Sequence, residues 1–267
     1  MLGFRVIEGS LGVELWPIDS GVTLYNGQLC QEATTGMGPL AAATGAADAS
    51  GLQVISGIVV GNDAKVSAND ATYGNYISGV TTAAAQNARD YRGNSANFPA
   101  GDQKPKVYVE RIGPQTLIRG FVGGSATVHT TNITLLTVTT GGTTSFVSNA
   151  TQFTPVANMA SSYCRTGANM GIQEISNDTS TTTEGNTIAF PQTIAVGDTF
   201  VRVPYKLGKS WMNINTTSGK LGMWINGTVL DATNAFLIYV KSMSLQKAGE
   251  ETIDFYFAPC HFDAVRA

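Results

Sequence analysis

SGVTLYNGQLCQEATTGMGPLAAATGAADASGLQVISGIVVGN, residues 20–62, decides the fold class. Its two apolar runs, 22–30 and 52–60, are rich in Val, Ile, Leu and Tyr, and both are followed or punctuated by Gly and Asn. Between them, residues 36–50 carry one charged side chain, Asp48, among Ala, Gly, Thr and Pro. Strand formers on either side of a small-residue segment spell two β-strands joined by a long excursion. Residues 36–50 are expected to form an exposed loop that touches a neighbouring subunit. Nothing in the stretch places a nucleophile beside a base, so it reads as scaffold.

The same strand chemistry recurs outward from it. VYVERIG (107–113), TLIRGFVGG (116–124) and NITLLTVTTGG (132–142) carry β-branched and aromatic residues with glycine punctuation. After residue 188 the pattern returns in FVRVPYKLG (200–208) and FLIYVKSMSL (236–245), and it ends in ETIDFYFAPCHFDAV (251–265). The expected fold is all-β: two small β-barrel or β-sandwich-like domains with long loops and little helix. Residues 1–89 form the N-terminal domain with its arm, and 107–267 form the C-terminal domain. Residues 90–106, DYRGNSANFPAGDQKPK, combine Gly, Asn, Pro and charge and form the linker. Residues 143–187, rich in Ser, Thr and Asn, read as a long surface excursion. At the N-terminus Leu2, Phe4 and Val6 alternate with Gly3 and Arg5. An edge strand of the first domain is the preferred reading. An arm reaching a neighbouring subunit is the alternative, in which Leu2 and Phe4 join Pro39, Leu40, Ala41, Ala42 and Ala43 as contact residues.

Composition narrows the function. Charged residues make up only 13% of the 267, about half the usual share. Lys and Glu are costly to desolvate and interfaces are depleted in them, so a surface of Thr, Ser, Asn and Gly suits an assembly. The net charge of −3 has no basic block behind it, which argues against direct nucleic-acid binding. The three cysteines, Cys30, Cys164 and Cys260, are far apart and odd in number, the pattern of free thiols in a reducing compartment. Neither a signal peptide nor an apolar stretch of membrane-spanning length is visible, so synthesis in a cytoplasm is expected, without membrane contact.

Catalytic chemistry finds little to work with. The two histidines are His129 and His261, and the second adjoins Cys260 with Asp263 nearby. On an extended strand adjacent residues point to opposite faces, so Cys260 and His261 would not share a metal; a structural histidine is the expectation. Glu250 and Glu251 sit in a turn-like AGEETI, where a solvated pair is expected rather than a glycosidase dyad. No catalytic residue, metal site or cofactor is assigned.

The stretches SGVTLYNGQLCQ…TGMGPLAAATGAADASGLQVISGIVVGND and GDTFVRVPYKLG…FLIYVKSMSLQKAGEETIDFYFAPCHFD resemble the decoration, or cement, proteins of tailed-bacteriophage capsids. The resemblance covers about the first and last thirds of the chain. It implies a non-enzymatic virion protein made in the host cytoplasm and bound to the capsid exterior. Its partners would be the major capsid protein and itself, as a homotrimer, bridging capsomers to stabilise the shell. The alternative is a carbohydrate-binding or adhesive β module of a head fibre or tail, with Trp211, Trp224 and Tyr205 as sugar-stacking candidates.

Overall fold

The computed structural model describes residues 3–19, 23–33, 36–40, 54–62, 80–81, 106–124, 135–143, 145–148, 161–166, 170–174, 185–187, 193–215, 221–227, 236–247 and 249–262. The protein is all-β. Among the described residues the one helical element is a single 3-10 turn, Pro259–His261. No helix among them is long and apolar enough to cross a membrane.

The opening stretch builds the heart of a five-stranded antiparallel sheet. β2 (Val13–Pro17), β4 (Leu29–Glu32), β5 (Met37–Pro39), β6 (Ile55–Asn62) and β8 (Lys106–Arg111) lie in the order β2-β8-β6-β4-β5. The first apolar run, expected as one strand, is divided between residues 23–24 and β4, and only its end pairs with the second run, with Leu29 opposite Ile58 and Cys30 opposite Gly57. Side chains alternate across a strand, so Leu29 and Ile58 enter one core while Cys30 and Val59 enter another. A sheet buried on both faces needs continuous apolar runs rather than alternation, which is why these runs look as they do. Gly57 is required here: a Cβ would collide with the Glu110 carbonyl oxygen on the neighbouring strand. The second core is closed by Ile18, by Leu24 of β3 (Thr23–Leu24) and by Trp16; β3 pairs β7 (Val80–Thr81).

The C-terminal strands form a second sheet. β9 (Leu117–Gly123), β16 (Gly208–Met212), β18 (Phe236–Ser244) and β19 (Thr252–Phe257) are ordered β9-β19-β18-β16. The N-terminal β1 (Arg5–Glu8) is added along β9 as the outer strand, and the short β17 (Ile225–Asn226) runs parallel to β9. The inward residues Phe236, Ile238, Val240, Ile253, Phe255 and Phe257 are all buried, with Phe255 and Phe257 edge-to-face at 5.1 Å. This sheet shares one hydrophobic cluster with Leu29, Leu40, Ile55, Ile58 and Ile112 of the first. The two sheets are therefore the layers of one core.

A third sheet has the order β13-β12-β15-β10-β11-β14, from Gly171–Glu174, Ser161–Cys164, Thr199–Val203, Leu135–Thr140, Ser145–Ser148 and Gly185–Thr187. Its β15 sends Val201 and Val203 into the shared cluster. Arg165, just after β12, donates through Nε to the Leu245 carbonyl at 2.9 Å and through Nη2 to Glu251 at 2.5 Å. That clamp ties the third sheet to the β18–β19 hairpin.

Several expectations change here. The segment 143–187 supplies four strands, β11 to β14, rather than one surface excursion. Its Ser, Thr and Asn side chains hid this, because backbone pairing to the apolar β15 and β10 places it. β8, at the expected boundary between linker and second domain, pairs with β2 and β6 of the N-terminal segment, and β1 pairs with β9 of the C-terminal one. The rest of the linker lies outside the described residues. Within 36–50, Met37 and Leu40 are fully buried, so the segment opens as a strand, not an exposed loop.

Candidate functional site

Among the described residues the polar groups that could do chemistry are held in structural contacts; His129 and Asp263 lie outside them. His261 lies in the 3-10 turn rather than on an extended strand, and its Nε2 accepts the Leu237 N–H at 2.9 Å. It is buried edge-on to Phe236 and Phe257, and burial pulls its pKa below the usual imidazole value. Glu251 is not solvated as expected. It is 1% exposed, and its second carboxylate oxygen accepts the Gly249 N–H at 2.8 Å. Glu250 is exposed and pairs with Lys247. Burial raises the Cys30 thiol to about 12 and also lifts Cys164, so both are held as thiols rather than thiolate nucleophiles. Among the described residues no group of His, Cys, Asp and Glu is arranged to hold a metal ion.

The expected contact residues divide. Phe4 is 3% exposed and packs edge-to-face on Phe255 at 6.3 Å, and its N–H donates to the Gly27 carbonyl at 2.6 Å. Leu40 is fully buried. Both serve the chain's own core rather than a neighbour's surface. Burying an aromatic of this size is worth about 1.5–3 kcal/mol, and Gly120 opposite leaves the room for it. Pro39 is half-buried on β5, and Leu2, Ala41, Ala42 and Ala43 lie outside the described residues. Of the stacking candidates, Trp224 and Tyr205 are buried, the Tyr205 hydroxyl donating to the Asn226 carbonyl at 2.5 Å. Only Trp211 reaches the surface.

The surface that does stand out is β2. It pairs with β8 on one side, and among the described residues no strand pairs its other side. Leu15 stands opposite Tyr108 and Val13 opposite Glu110, so Val13, Leu15 and Tyr108 share a face, and all three are exposed. Glu14 and Trp16 turn to the opposite face. There the Trp16 indole N–H donates to Glu14 at 2.8 Å and Arg111 lies over the Trp16 ring at 5.4 Å. In an antiparallel ladder alternate residues direct their backbone groups to one side. The Gly12 and Glu14 side of β2 is used by β8, leaving the N–H and C=O of Val13 and Leu15 directed outward. Pro17, without an N–H, closes the edge.

On the paired side of β2, across β8, β6 and β4, opens a cleft of about 580 Å³, lined by Leu11, Gln31, Glu32, Ile55, Arg111 and Phe262 among others. Arg111 is held between Glu14 and Glu32, at 3.8 and 3.2 Å. The Gln31 side-chain oxygen is buried and accepts no hydrogen bond among the described residues. Leu11, 69% exposed and two residues before β2, lines the cleft. The Val13–Leu15 alternation was readable in the sequence; that its apolar side would face outward was not.

No protein-family model, curated protein or solved structure matches this chain. What the fold itself defines is an all-β protein of antiparallel sheets around a shared core.

Proposed function

We propose that this chain is a non-enzymatic structural protein of a bacteriophage virion. It sits on the capsid exterior, contacts the major capsid protein and further copies of itself, and stabilises the shell by bridging capsomers. The observation that carries this reading is the exposed stripe of Val13, Leu15 and Tyr108 on a strand whose outer edge is paired by no strand among the described residues. An edge of that kind gains hydrogen bonds and buries apolar area when another chain adds to it. The low charge of the surface and the resemblance of the opening and closing stretches support the same reading. Many modest contacts of this kind multiply on a shell, because a neighbour already held is at high effective concentration.

Purified particles carrying the wild-type chain and a Leu15→Glu variant test it. The wild type is expected at high copy number, with particles that resist heat or chelator better than particles lacking it. Leu15→Glu is expected to lower occupancy. Absence of the wild type from purified particles sinks the proposal.

A further inference from the structure

The outward face of the C-terminal sheet carries a feature that the capsid reading does not use. The inward residues of β18 and β19 form the core, so the alternate positions face out. Register then aligns them in rows. Lys209, Tyr239 and Tyr256 stand directly opposite one another across β16, β18 and β19, and Trp211 stands opposite Leu237 in the next row. Tyr239 is 44% exposed, and Trp211, Leu237 and Tyr256 are half-buried. Neighbouring strands lie about 4.8 Å apart, so Trp211, Tyr239 and Tyr256 span roughly 10 Å of sheet.

The charges on this face have one sign to spare. Lys209 lies over the Trp211 ring, its Nζ 5.9 Å from the centroid, and Lys241 is exposed at the bulge after Val240. The following row holds Ser242, Asp254, Arg119 and Arg5, and its one carboxylate is already held by Arg119 through two hydrogen bonds. Among the described residues Lys209 and Lys241 make no ion pair. A chain of net charge −3 thus presents a cationic, aromatic patch on an otherwise weakly charged surface.

We infer that this face binds an acidic glycan, one bearing carboxylates. The polarised C–H groups of a pyranose ring suit the electron-rich faces of Trp211, Tyr239 and Tyr256. The carboxylates are met by Lys209 and Lys241. A single-stranded nucleic acid shares the stacking, but its charge at every nucleotide calls for a basic groove, and this chain has no basic run.

Titration of the full-length chain by calorimetry tests this, with oligogalacturonate and oligosialic acid as probes, a neutral dextran as the uncharged arm, and oligo(dT) as the nucleic-acid arm. At least one carboxylated glycan is expected to bind, more weakly as salt rises, with dextran much weaker. Tyr239→Ala and Trp211→Ala are each expected to weaken binding about tenfold, while Tyr239→Phe, which keeps the ring, retains it. Lys209→Gln should weaken binding and flatten its salt dependence. Trp211 is half-buried, so thermal unfolding of each variant is followed in parallel, and the exposed Tyr239 decides the matter if Trp211→Ala unfolds. No binding of either carboxylated glycan, binding unchanged in Tyr239→Ala, or tighter binding of oligo(dT) overturns the inference. Particle occupancy is read separately, so loss of this activity and loss of the capsid role are distinguishable.

Discussion

Asp254 accepts two hydrogen bonds from Arg119, Nε to Oδ1 at 2.6 Å and Nη2 to Oδ2 at 2.7 Å, across a ladder position where the residues stand directly opposite. The Ser242 hydroxyl donates to the same carboxylate at 2.8 Å from the strand on the other side. Three strands are thereby pinned in register on the outward face, where no core packing fixes them.

Replacing Asp254 by Ala is expected to lower stability by about 2 kcal/mol, the usual worth of hydrogen bonds to a charged group. Urea unfolding at neutral pH measures it. The Arg119 bonds hold the Asp254 carboxyl below its usual range. This contribution is therefore present above the unfolded-state value near 3.8 and is lost as the pH falls through the lower, folded-state value. The acid limb of the wild-type stability curve should flatten in the variant. An unchanged limb would show that the pair contributes nothing to acid stability.

His261 adds a second pH dependence at milder acidity. Its Nε2 can accept the Leu237 N–H only while unprotonated, and burial lowers its pKa. The unfolded chain therefore takes up this proton first as the pH drops through about 6.5, and stability falls from there toward the folded-state pKa. Unfolding midpoints measured between pH 7.5 and 5.5 should decline in the wild type and stay level in His261→Gln, which keeps an acceptor but cannot titrate.

Phe4 and Gly120 form one packing unit. A Cβ at residue 120 would lie 2.5 Å from the Phe4 ring and 2.8 Å from Ile225. Gly120→Ala is expected to cost roughly 1–3 kcal/mol through overpacking, and Phe4→Ala about 3–5 kcal/mol through the cavity it leaves. In the double variant the alanine at 120 should cost less, because the ring that resists it is gone. A double-mutant cycle by chemical denaturation checks this; strict additivity would mean that the two residues do not share space.

Glu251 and Arg165 join sheets far apart in sequence. Glu251→Gln leaves Arg165 without its carboxylate at a site only 15% exposed, and about 3 kcal/mol is the expected loss. Amide hydrogen exchange should show the third sheet, rather than β9, losing most protection, since the Leu245 carbonyl and Glu251 are what hold Arg165.

On β2, Leu15→Glu changes an exposed side chain and should alter the isolated fold by no more than about 0.5 kcal/mol. A larger loss in thermal unfolding would mean that Leu15 is needed by the chain itself rather than by a partner.

The all-β class and the strand character of the opening and closing stretches were determined by the sequence alone, but the run 22–30, read as one strand, is two, β3 and β4, and the segment after it supplies β5. Runs such as LQVISGIVV and ETIDFYF carry so many β-branched and aromatic residues that few other structures could bury them. The partners of the opening stretch were decided only by tertiary structure. Phe4 and Leu40 look like contact residues because a terminus and an alanine-rich segment are free to reach outward; they are core because β1 crosses to β9 and β5 closes on β4. Residues 161–164, SSYC, look like loop because they lie in a Ser- and Thr-rich segment of little apolar signal, yet the ladder to β15 makes them strand. Val13 and Leu15 alternate with Glu14 and Trp16, which reveals two faces but not which one the protein covers. Period two is a local property of the backbone, whereas the choice of buried face depends on which strands, distant in the chain, arrive beside it.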